Sequence, residues 1–334
     1  GECMVETKGI TDDMSNNILI LSCGTRDLLV RYFKRADFGR VIGADCSELA
    51  PALYEADKYY LIPRMKEEGY FDAILEICRK EGITAILPLQ EDELNLISEN
   101  RELFEQEGIR TIVSPVETLQ ICRDKYCFFE HMTEHGIPVL NSYIDLDKFE
   151  KAYEAGKIGF PVFVKPVRGA GSVGVMKVSC MELLKVLFAY SEEPLLIQEF
   201  CNGREFGVDV YVDLVSGEVV DIFAKEKLRM RAGETEKSVT SNDPALKEFV
   251  YRAASTLKLS GPVDMDVFEK DGIFYLSEIN PRFGGGFPHA YACGVDTPSY
   301  ILQNLQGIAN ESHLQEKREE IYVLKYSDIL CIDR

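Results

Sequence analysis

Hydrophobic and polar residues in the first third of the chain follow two alternating patterns. Continuous apolar runs, short enough for parallel strands buried on both faces, occur at residues 17–24, 40–46, 84–89 and 110–115. Between them, residues 70–82 and 91–108 show helical spacing of apolar residues, and each segment ends at a glycine. Strands that alternate with helices predict a doubly wound, Rossmann-like α/β domain over residues 17–118.

The hydrophobic pattern changes after this domain. One helix is predicted to run to Gly136, with Ser114 or Thr118 as its N-cap. Further on, β-rich runs around glycine-containing turns predict antiparallel hairpins, so this half is predicted to be an α+β domain. The predicted parts besides the first domain are a poorly structured leader (1–16), a small subdomain (119–195), a large subdomain (196–310) and a C-terminal tail (311–334).

The composition argues against several classes of protein. A formal net charge of −19 over 334 residues is the opposite of the basic surface that binds the phosphate backbone of nucleic acids. No apolar run reaches the ~18 residues of a membrane span, and the ten cysteines include no C-x-x-C pair. We therefore expect a cytoplasmic protein with reduced thiols that binds neither nucleic acid nor a membrane.

One predicted hairpin of the large subdomain concentrates oxygen donors. Glu278, Asn280 and Arg282 occupy alternate positions, so their side chains are expected on one face. Asp264 and Asp266 alternate in the same way on the partner strand, where their carboxylates would meet Glu278 across the ladder. Carboxylate and amide oxygens are ligands that Mg²⁺ prefers. The pattern favours a magnesium site, and the alternative is a solvated polar face on an edge hairpin.

A glycine-rich segment lies between two predicted strands of the small subdomain. Residues 169–174 read G-A-G-S-V-G, but a strand follows instead of a helix, so a dinucleotide-binding turn is not predicted. A hairpin tip of this composition can place backbone N–H groups over phosphates, and Lys165 in the preceding strand could reach the same anion. A flexible connecting loop is the alternative interpretation.

Two further segments carry polar residues in settings that suit a ligand. Glu199 and Glu205 flank a glycine turn beside apolar strand residues, which suits a nucleoside as well as a plain hairpin with surface acids. Arg229 and Arg231 lie in a polar stretch, which suits a lid over a carboxylate or phosphate as well as a solvated loop. Both alternatives stay open for each segment.

Taken in order, three segments resemble the ATP-grasp superfamily, and most of all its carbamoyl-phosphate-synthase-like ligases. They are FVKPVRGAGSVGV from Phe163, IQEFCNGREFGVDVY from Ile197 and DVFEKDGIFYLSEINPRFGGG from Asp266. The resemblance covers residues 17–310 and implies a Rossmann-like pre-ATP-grasp domain followed by an ATP-grasp fold. It also implies that ATP is bound together with Mg²⁺, for which Mn²⁺ could substitute.

The resemblance implies a role for each matching residue. The implied nucleotide and phosphate contacts are Lys125, Lys165, Gly169, Gly171, Ser172 and Gly174. The implied adenine hinge is Glu199, Phe200 and Cys201, and the implied ribose ligand is Glu205. The implied metal ligands are Asp266, Glu278 and Asn280. Catalysis is assigned to Lys165 and to Arg282, which would steady an acyl phosphate. Candidates for the substrate pocket are Arg229, Arg231, Arg282 and Gly285.

The implied activity is that of an ADP-forming carboxylate–amine ligase. ATP would convert a small carboxylate, which we expect to be an amino acid, into an acyl phosphate, and an amine would then displace the phosphate. The chain has one set of motifs, which argues against synthesis of carbamoyl phosphate. A kinase that stops at the phosphorylated product and an inactive nucleotide-binding regulator are the alternatives, and a homodimer is a candidate assembly.

Overall fold

A five-stranded parallel sheet forms the first domain in the computed structural model, which describes residues 15–169 and 174–333. Its strand order is β3-β2-β1-β4-β5, so the sheet changes its direction of growth between β1 and β4. The third strand was not predicted, because its residues alternate between half-buried and exposed at the sheet edge. The strands are β1 (Asn17–Leu21), β2 (Val41–Asp45), β3 (Lys58–Leu61), β4 (Ile83–Leu87) and β5 (Arg110–Thr111).

Helices cover both faces of this sheet. They are α1 (Asp27–Arg35), α2 (Tyr70–Glu81), α3 (Glu91–Glu99) and α4 (Arg101–Gln106), with a 3₁₀ turn at Pro51–Tyr54. The prediction of a single helix over residues 91–108 was wrong. The helix breaks at Asn100, whose side-chain amide donates to the carbonyl of Leu96 at 2.8 Å and so competes with the helical hydrogen bonds.

A second predicted helix is also divided in two, α5 (Val116–Arg123) and α6 (Lys125–Glu134). Asp124 causes the break, since its backbone is extended and its carboxylate accepts hydrogen bonds from the first turn of α6. The predicted caps were wrong, because Ser114 and Thr118 bond instead to the backbone of Ser260 and Lys258. The break places Lys125 at the first position of α6.

A small antiparallel sheet with the order β6-β9-β7-β8 forms the next part of the chain. Helices α7 (Leu146–Glu154) and α8 (Met181–Tyr190) pack on it around the buried side chains of Phe149, Val164 and Ile197. Strand β9 belongs to this sheet and extends beyond residue 195, where the small subdomain was predicted to end. The strands are β6 (Ser142–Tyr143), β7 (Val162–Pro166), β8 (Met176–Val178) and β9 (Leu195–Glu199).

A large antiparallel sheet with the order β14-β13-β10-β11-β12-β15 completes the fold. Its strands are β10 (Arg204–Val212), β11 (Val219–Arg231), β12 (Glu234–Ser241), β13 (Gly261–Lys270), β14 (Ile273–Asn280) and β15 (Tyr322–Leu324). The accompanying helices are α9 (Pro244–Ala254), α10 (Phe287–Ala292) and α11 (Thr297–Leu305). This arrangement confirms the predicted Rossmann-like domain followed by an α+β domain. Within the described part of the chain, every helix is too short or too polar to cross a bilayer.

Aromatic packing joins the first domain to the large sheet. Phe33 in α1 packs edge-on against Phe283, with ring centroids 5.9 Å apart, and Tyr32 stacks on Tyr291 at 3.7 Å. Both contacts belong to one core that includes residues of β1, α1, β11 and α10. The turn after β1 is therefore fixed beside the loop that follows β14.

Candidate active site

A cleft of about 410 Å³ opens between the small sheet and the large sheet. The structure brings most of the predicted site residues together on its walls. Those that line it are Lys125, Lys165, Gly169, Glu199, Cys201, Glu205, Asp266, Glu278, Asn280, Arg282 and Gly285. Four predicted residues do not line it, namely Gly174, Phe200, Arg229 and Arg231. Gly171 and Ser172 lie outside the described residues.

The hairpin of β13 and β14 places acidic groups on one wall. Asp266 lies opposite Glu278 in the ladder and Asp264 lies opposite Asn280, as the alternation predicts. Burial raises the pKa of Asp266 to about 6, with Lys227 opposing the rise and Glu278 adding to it. The amide of Asn280 donates to Glu278 Oε1 at 3.1 Å. Two facing carboxylates of this kind are stabilised by a cation between them.

The donor set of this hairpin fits Mg²⁺. Among the described residues, no cluster of three or more His, Cys, Asp or Glu side chains forms a complete metal cage. Two carboxylates and one amide oxygen are available instead, from Asp266, Glu278 and Asn280. Mg²⁺ is usually bound by one or two carboxylates together with substrate phosphates and water, so an open set of oxygens suits it.

Lys227 on β11 is a site residue that sequence reasoning missed. Its Nζ lies 2.6 Å from Asp266 Oδ1 and 2.9 Å from Glu205 Oε1, and its side chain is buried. Burial lowers the pKa of Lys227, but the two carboxylates outweigh it, so the net shift is upward. The signal was present, because Lys225, Lys227 and Arg229 alternate along one strand.

A second row of charges lies deeper in the large sheet. Lys225 Nζ bonds to Asp209 Oδ2 at 2.6 Å, and both side chains are buried. Asp209 is opposite Asp264 in the ladder, and Arg282 Nη1 lies 3.5 Å from Asp264 Oδ2. Strand β14 ends at Asn280, so the expectation that Arg282 continues its face was wrong. Arg282 reaches the cleft from the turn after the strand.

The glycines after β14 are explained by these charges. A Cβ on Gly284 would lie 2.6 Å from Cγ of Asp264, and one on Gly286 would lie 2.5 Å from Cε of Lys225. A Cβ on Gly285 would have only ordinary contacts, the nearest at 3.7 Å. The backbone of the loop therefore packs directly on the buried ion pairs, which requires glycine at the first and third positions.

Two lysines face the acidic hairpin from the opposite wall. Lys165 lies on β7, and burial lowers its pKa, with Glu278 opposing that change. Lys125 donates to the carbonyl of Gly169 at 2.8 Å, and burial lowers its pKa as well. Neither ammonium group forms an ion pair with any residue that the structure describes. The wall thus offers two desolvated cations to an anionic ligand.

The end of β9 forms the back of the cleft. Glu199 accepts hydrogen bonds from the backbone N–H and the side-chain amide of Asn141, at 3.3 and 3.0 Å. Phe200 turns away from the cleft, and its ring packs on Phe163 and under the ammonium of Lys177. Glu199 and Cys201 therefore line the cleft, while Phe200 supports them from behind.

The predicted substrate arginines lie outside the cleft. The segment predicted as a loop forms the β11–β12 hairpin, where Arg229 and Arg231 pair with Glu236 at 2.8 and 3.5 Å. Their side chains are 62% and 72% exposed. Glu234 and Thr235 of the same hairpin line the cleft in their place. A substrate role for the two arginines stays a prediction.

Two residues of the first domain, Arg26 and Glu91, also line the cleft and were not predicted. Arg26 follows β1, and burial and the charge of Arg282 lower its pKa. Glu91 begins α3, and burial raises its pKa. The available signal was their position, since both follow strands at the point where the sheet reverses its order.

Two protein-family models match separate parts of the chain. Residues 18–112 match the model of a PylC-like N-terminal domain, and residues 191–329 match that of an ATP-grasp in the biosynthetic pathway with Ter operon. The chain therefore combines a PylC-like N-terminal region with an ATP-grasp region. This confirms the resemblance that the sequence motifs indicated.

Relatives of this ATP-grasp chain include ligases. It is 29% identical over 211 residues to D-alanine--D-alanine ligase of Geobacillus thermodenitrificans, and this match covers 55% of this chain and 58% of the relative. It is 24% identical over 290 residues to the carbamoyl phosphate synthase large chain of Methanothrix thermoacetophila, and this match covers 81% of this chain and 26% of the relative. The chain thus spans less than two thirds of the length of each of these relatives.

The ATP-grasp fold is also found in solved structures. One is the biotin carboxylase domain of Hydrogenobacter thermophilus 2-oxoglutarate carboxylase, in complex with MgADP, ADP and bicarbonate. It has a TM-score of 0.71 and 20% sequence identity, and the match covers 90% of this chain and 72% of that one. The fold likeness therefore extends over almost the whole molecule.

Proposed function

We propose that this protein is an ADP-forming ligase that activates a small carboxylate as an acyl phosphate and joins it to an amine. The observation that carries the proposal is the geometry of the cleft, in which an acidic hairpin faces two desolvated lysines. An anion between these walls would be held by Lys125 and Lys165, with a metal ion on the side of Asp266 and Glu278. The ligases among the relatives support the same activity.

The proposal assigns ATP a position along the cleft. The adenine would lie against Glu199 and Cys201, and the ribose hydroxyls would bond to Glu205. The phosphates would lie between Lys125 and Lys165, under the segment that begins at Gly169. Mg²⁺, or Mn²⁺ in its place, would be held by Asp266, Glu278 and Asn280 and would offset negative charge on the phosphoryl oxygens when bound.

The proposed chemistry needs two displacements. A carboxylate oxygen attacks the γ-phosphorus of ATP, the bond to the β–γ bridging oxygen breaks, and ADP leaves. The amine nitrogen then attacks the carbonyl carbon, the bond to the phosphate oxygen breaks, and the nitrogen loses a proton. Arg282, which lines the cleft, would stabilise negative charge on the acyl phosphate, and the walls of the cleft would limit its hydrolysis by water.

Substituting Glu278 tests this assignment. We expect Glu278→Gln to lower ADP release by at least about 100-fold, as the loss of a preorganised charge in an active site does. Glu269→Gln is the matched control, because Glu269 lies on the same hairpin but pairs with Arg204 away from the metal ligands. Release of ADP would be measured against panels of carboxylates and amines. Full activity of Glu278→Gln would contradict the metal assignment.

The same assay separates the alternatives. A kinase would release ADP with a carboxylate alone and leave a stable phosphorylated product. A regulatory protein would bind ATP without turnover under any combination of substrates. A cytoplasmic location, an amino-acid substrate and a homodimeric assembly stay predictions within this proposal.

A further inference from the structure

A side chamber of about 160 Å³ adjoins the cleft where the first domain meets the turn after β14. It shares Asn280 and Arg282 with the cleft, so its contents would lie beside the proposed phosphates. Arg26 and Glu91 supply its charged wall from the first domain, together with Arg123, and Gln90 and Asn95 line it as well. Its apolar wall is formed by Leu94, Leu119 and Ile279.

The first domain presents these two residues at a favourable place. Arg26 follows β1 and Glu91 follows β4, and the sheet reverses its order between these two strands. In open parallel sheets, ligands bind beyond the carboxyl ends of the strands at such a reversal. The chamber occupies that position, but the large sheet closes its other side.

Hydrogen bonds hold the turn that carries Arg26 in place. Ser22 Oγ donates to Glu93 Oε2 at 2.8 Å, which ties the end of β1 to the first turn of α3. The backbone N–H of Gly24 donates to Asp45 Oδ2 at 2.9 Å. Because the turn and the helix are linked, Arg26 and Glu91 keep a fixed relation to each other.

The charges in the chamber are incompletely paired. Arg26 makes no ion pair and no side-chain hydrogen bond with any residue in the described ranges, and it lies close enough to Arg282 for that cation to lower its pKa. Glu91 forms one long ion pair, with Arg123, whose Nε is 3.8 Å away, and it lies within the electrostatic reach of Lys125 and Arg282. Arg123 already bonds to Asp92 at 2.6 Å. Among the described residues, the chamber therefore offers one unpaired cation, Arg26, beside Arg282, whose ion pair with Asp264 is long at 3.5 Å, and one carboxylate whose ion pair is longer still.

We propose that this chamber binds the carboxylate substrate and selects a small α-amino acid. The substrate carboxylate lies between Arg26 and Arg282, its ammonium group lies on Glu91, and its side chain faces the apolar wall. The chamber holds the volume of about five water molecules at about 30 Å³ each, so the side chain is short. This inference rests on the proposed function and names the class of its first substrate.

The test compares variants of the two first-domain residues. ADP release would be measured with the standard amino acids and with the corresponding acids that lack the amino group. We expect Arg26→Gln to raise the KM of the amino acid by about 10–100-fold, while the KM of ATP changes by less than about twofold. Arg26→Lys should recover part of the loss, because it keeps the charge. Glu91→Gln should remove the preference for the amino acid over its deaminated analogue.

Two exposed residues of the same domain provide matched controls. Arg64→Gln and Glu99→Gln remove the same groups away from the chamber and should leave both KM values unchanged. Titration calorimetry of the same amino acids, in the presence of a non-hydrolysable ATP analogue, measures binding without turnover. Thermal unfolding of each variant shows whether the fold is kept.

The outcomes separate this inference from the proposed function. If amino acids stimulate ADP release but Arg26→Gln and Glu91→Gln behave like the controls, the chamber assignment is overturned and the ligase proposal stands. If deaminated acids are used as well as amino acids by the unaltered chain, selection by Glu91 is overturned. If no carboxylate causes ADP release, the ligase proposal fails. Calorimetry then tests the chamber assignment by itself. Amino-acid binding that is lost in Arg26→Gln supports the assignment, and no binding of any amino acid to the unaltered chain overturns it.

Discussion

The three glycines after β14 differ in the room around them, which gives a prediction at the scale of single residues. Gly286→Ala places a methyl group 2.5 Å from Cε of Lys225, and moving this buried side chain would disturb its bond to Asp209. We expect a loss of about 1–3 kcal/mol in stability, as for other overpacked sites. Gly285→Ala makes only ordinary contacts, the nearest at 3.7 Å, and is the matched control. Thermal unfolding checks both, and an unchanged Tm for Gly286→Ala would disprove the packing argument.

Glu93 makes the stability of the first domain depend on pH. Burial raises the pKa of Glu93 to about 7 in the folded chain, although Tyr70 and Ser22 donate hydrogen bonds to it. The folded state therefore keeps a proton that the unfolded state releases above its ordinary pKa of 4.5. Stability contributed by this proton is present at low pH and is lost as the pH rises to about 7.

The pH dependence can be isolated with one substitution. Glutamine does not titrate, so Glu93→Gln lacks this loss of stability. The free energy of unfolding of the variant minus that of the unaltered chain should therefore rise by roughly 2–3 kcal/mol from pH 5 to pH 8. Urea unfolding at the two pH values measures that difference. Glu99→Gln, on the exposed side of the same helix, should show no such change. An equal effect of Glu93→Gln at both pH values would refute the argument.

At the scale of elements, strand β11 holds the acidic residues of β10 and β13 together through Lys227. Lys227→Met leaves Glu205 and Asp266 without their shared cation. We expect a loss of about 1–3 kcal/mol, less than for a fully buried pair, because the two carboxylates are 29% and 17% exposed. Millimolar Mg²⁺ should restore more of the Tm in this variant than in the unaltered chain, because the metal ion supplies the missing positive charge.

The comparison for this prediction uses a lysine away from the site. Lys151 lies exposed on α7, so Lys151→Met should change neither the Tm nor its response to Mg²⁺. Equal Mg²⁺ responses in Lys227→Met and in the unaltered chain would show that the ion does not bind beside Asp266. The measurement needs no substrate, so it tests the metal site separately from turnover.

Elements also show which parts of the site the sequence can reveal. The pairing of Asp266 with Glu278 was predictable, because a short hairpin fixes its own register and alternation fixes the face. The helix break at Asp124 was missed, because apolar spacing continues through it and only the capping side chain marks the boundary. Lys227 was missed as a partner of Asp266, because the contact joins strands that are distant in sequence.

At the scale of the whole molecule, packing between the two parts of the chain determines the position of residues that local sequence patterns do not place. Arg26 reaches the cleft only because the first domain is packed against the loop after β14, and no periodicity within either segment indicates that contact. The fold class was predictable from the order of strands and helices, since each sheet is built from one continuous region of the chain. The wall of the side chamber combines residues of the first domain with residues that follow β14, so it depends on how the two sheets meet. A single sequence contains no local signal for that arrangement.

The shared core predicts that the first domain and the large sheet lose stability together. Phe283 is 2% exposed and packs between Phe33 of α1 and Phe287 of α10, so Phe283→Ala should cost about 3–5 kcal/mol. Because the cavity lies at the junction, amide hydrogen exchange should accelerate in α1 and in α10 alike. Tyr190→Ala is the control, since Tyr190 is 83% exposed. Faster exchange confined to one of the two helices would mean that the halves are stabilised independently, and Arg26 would then have no fixed position over the cleft.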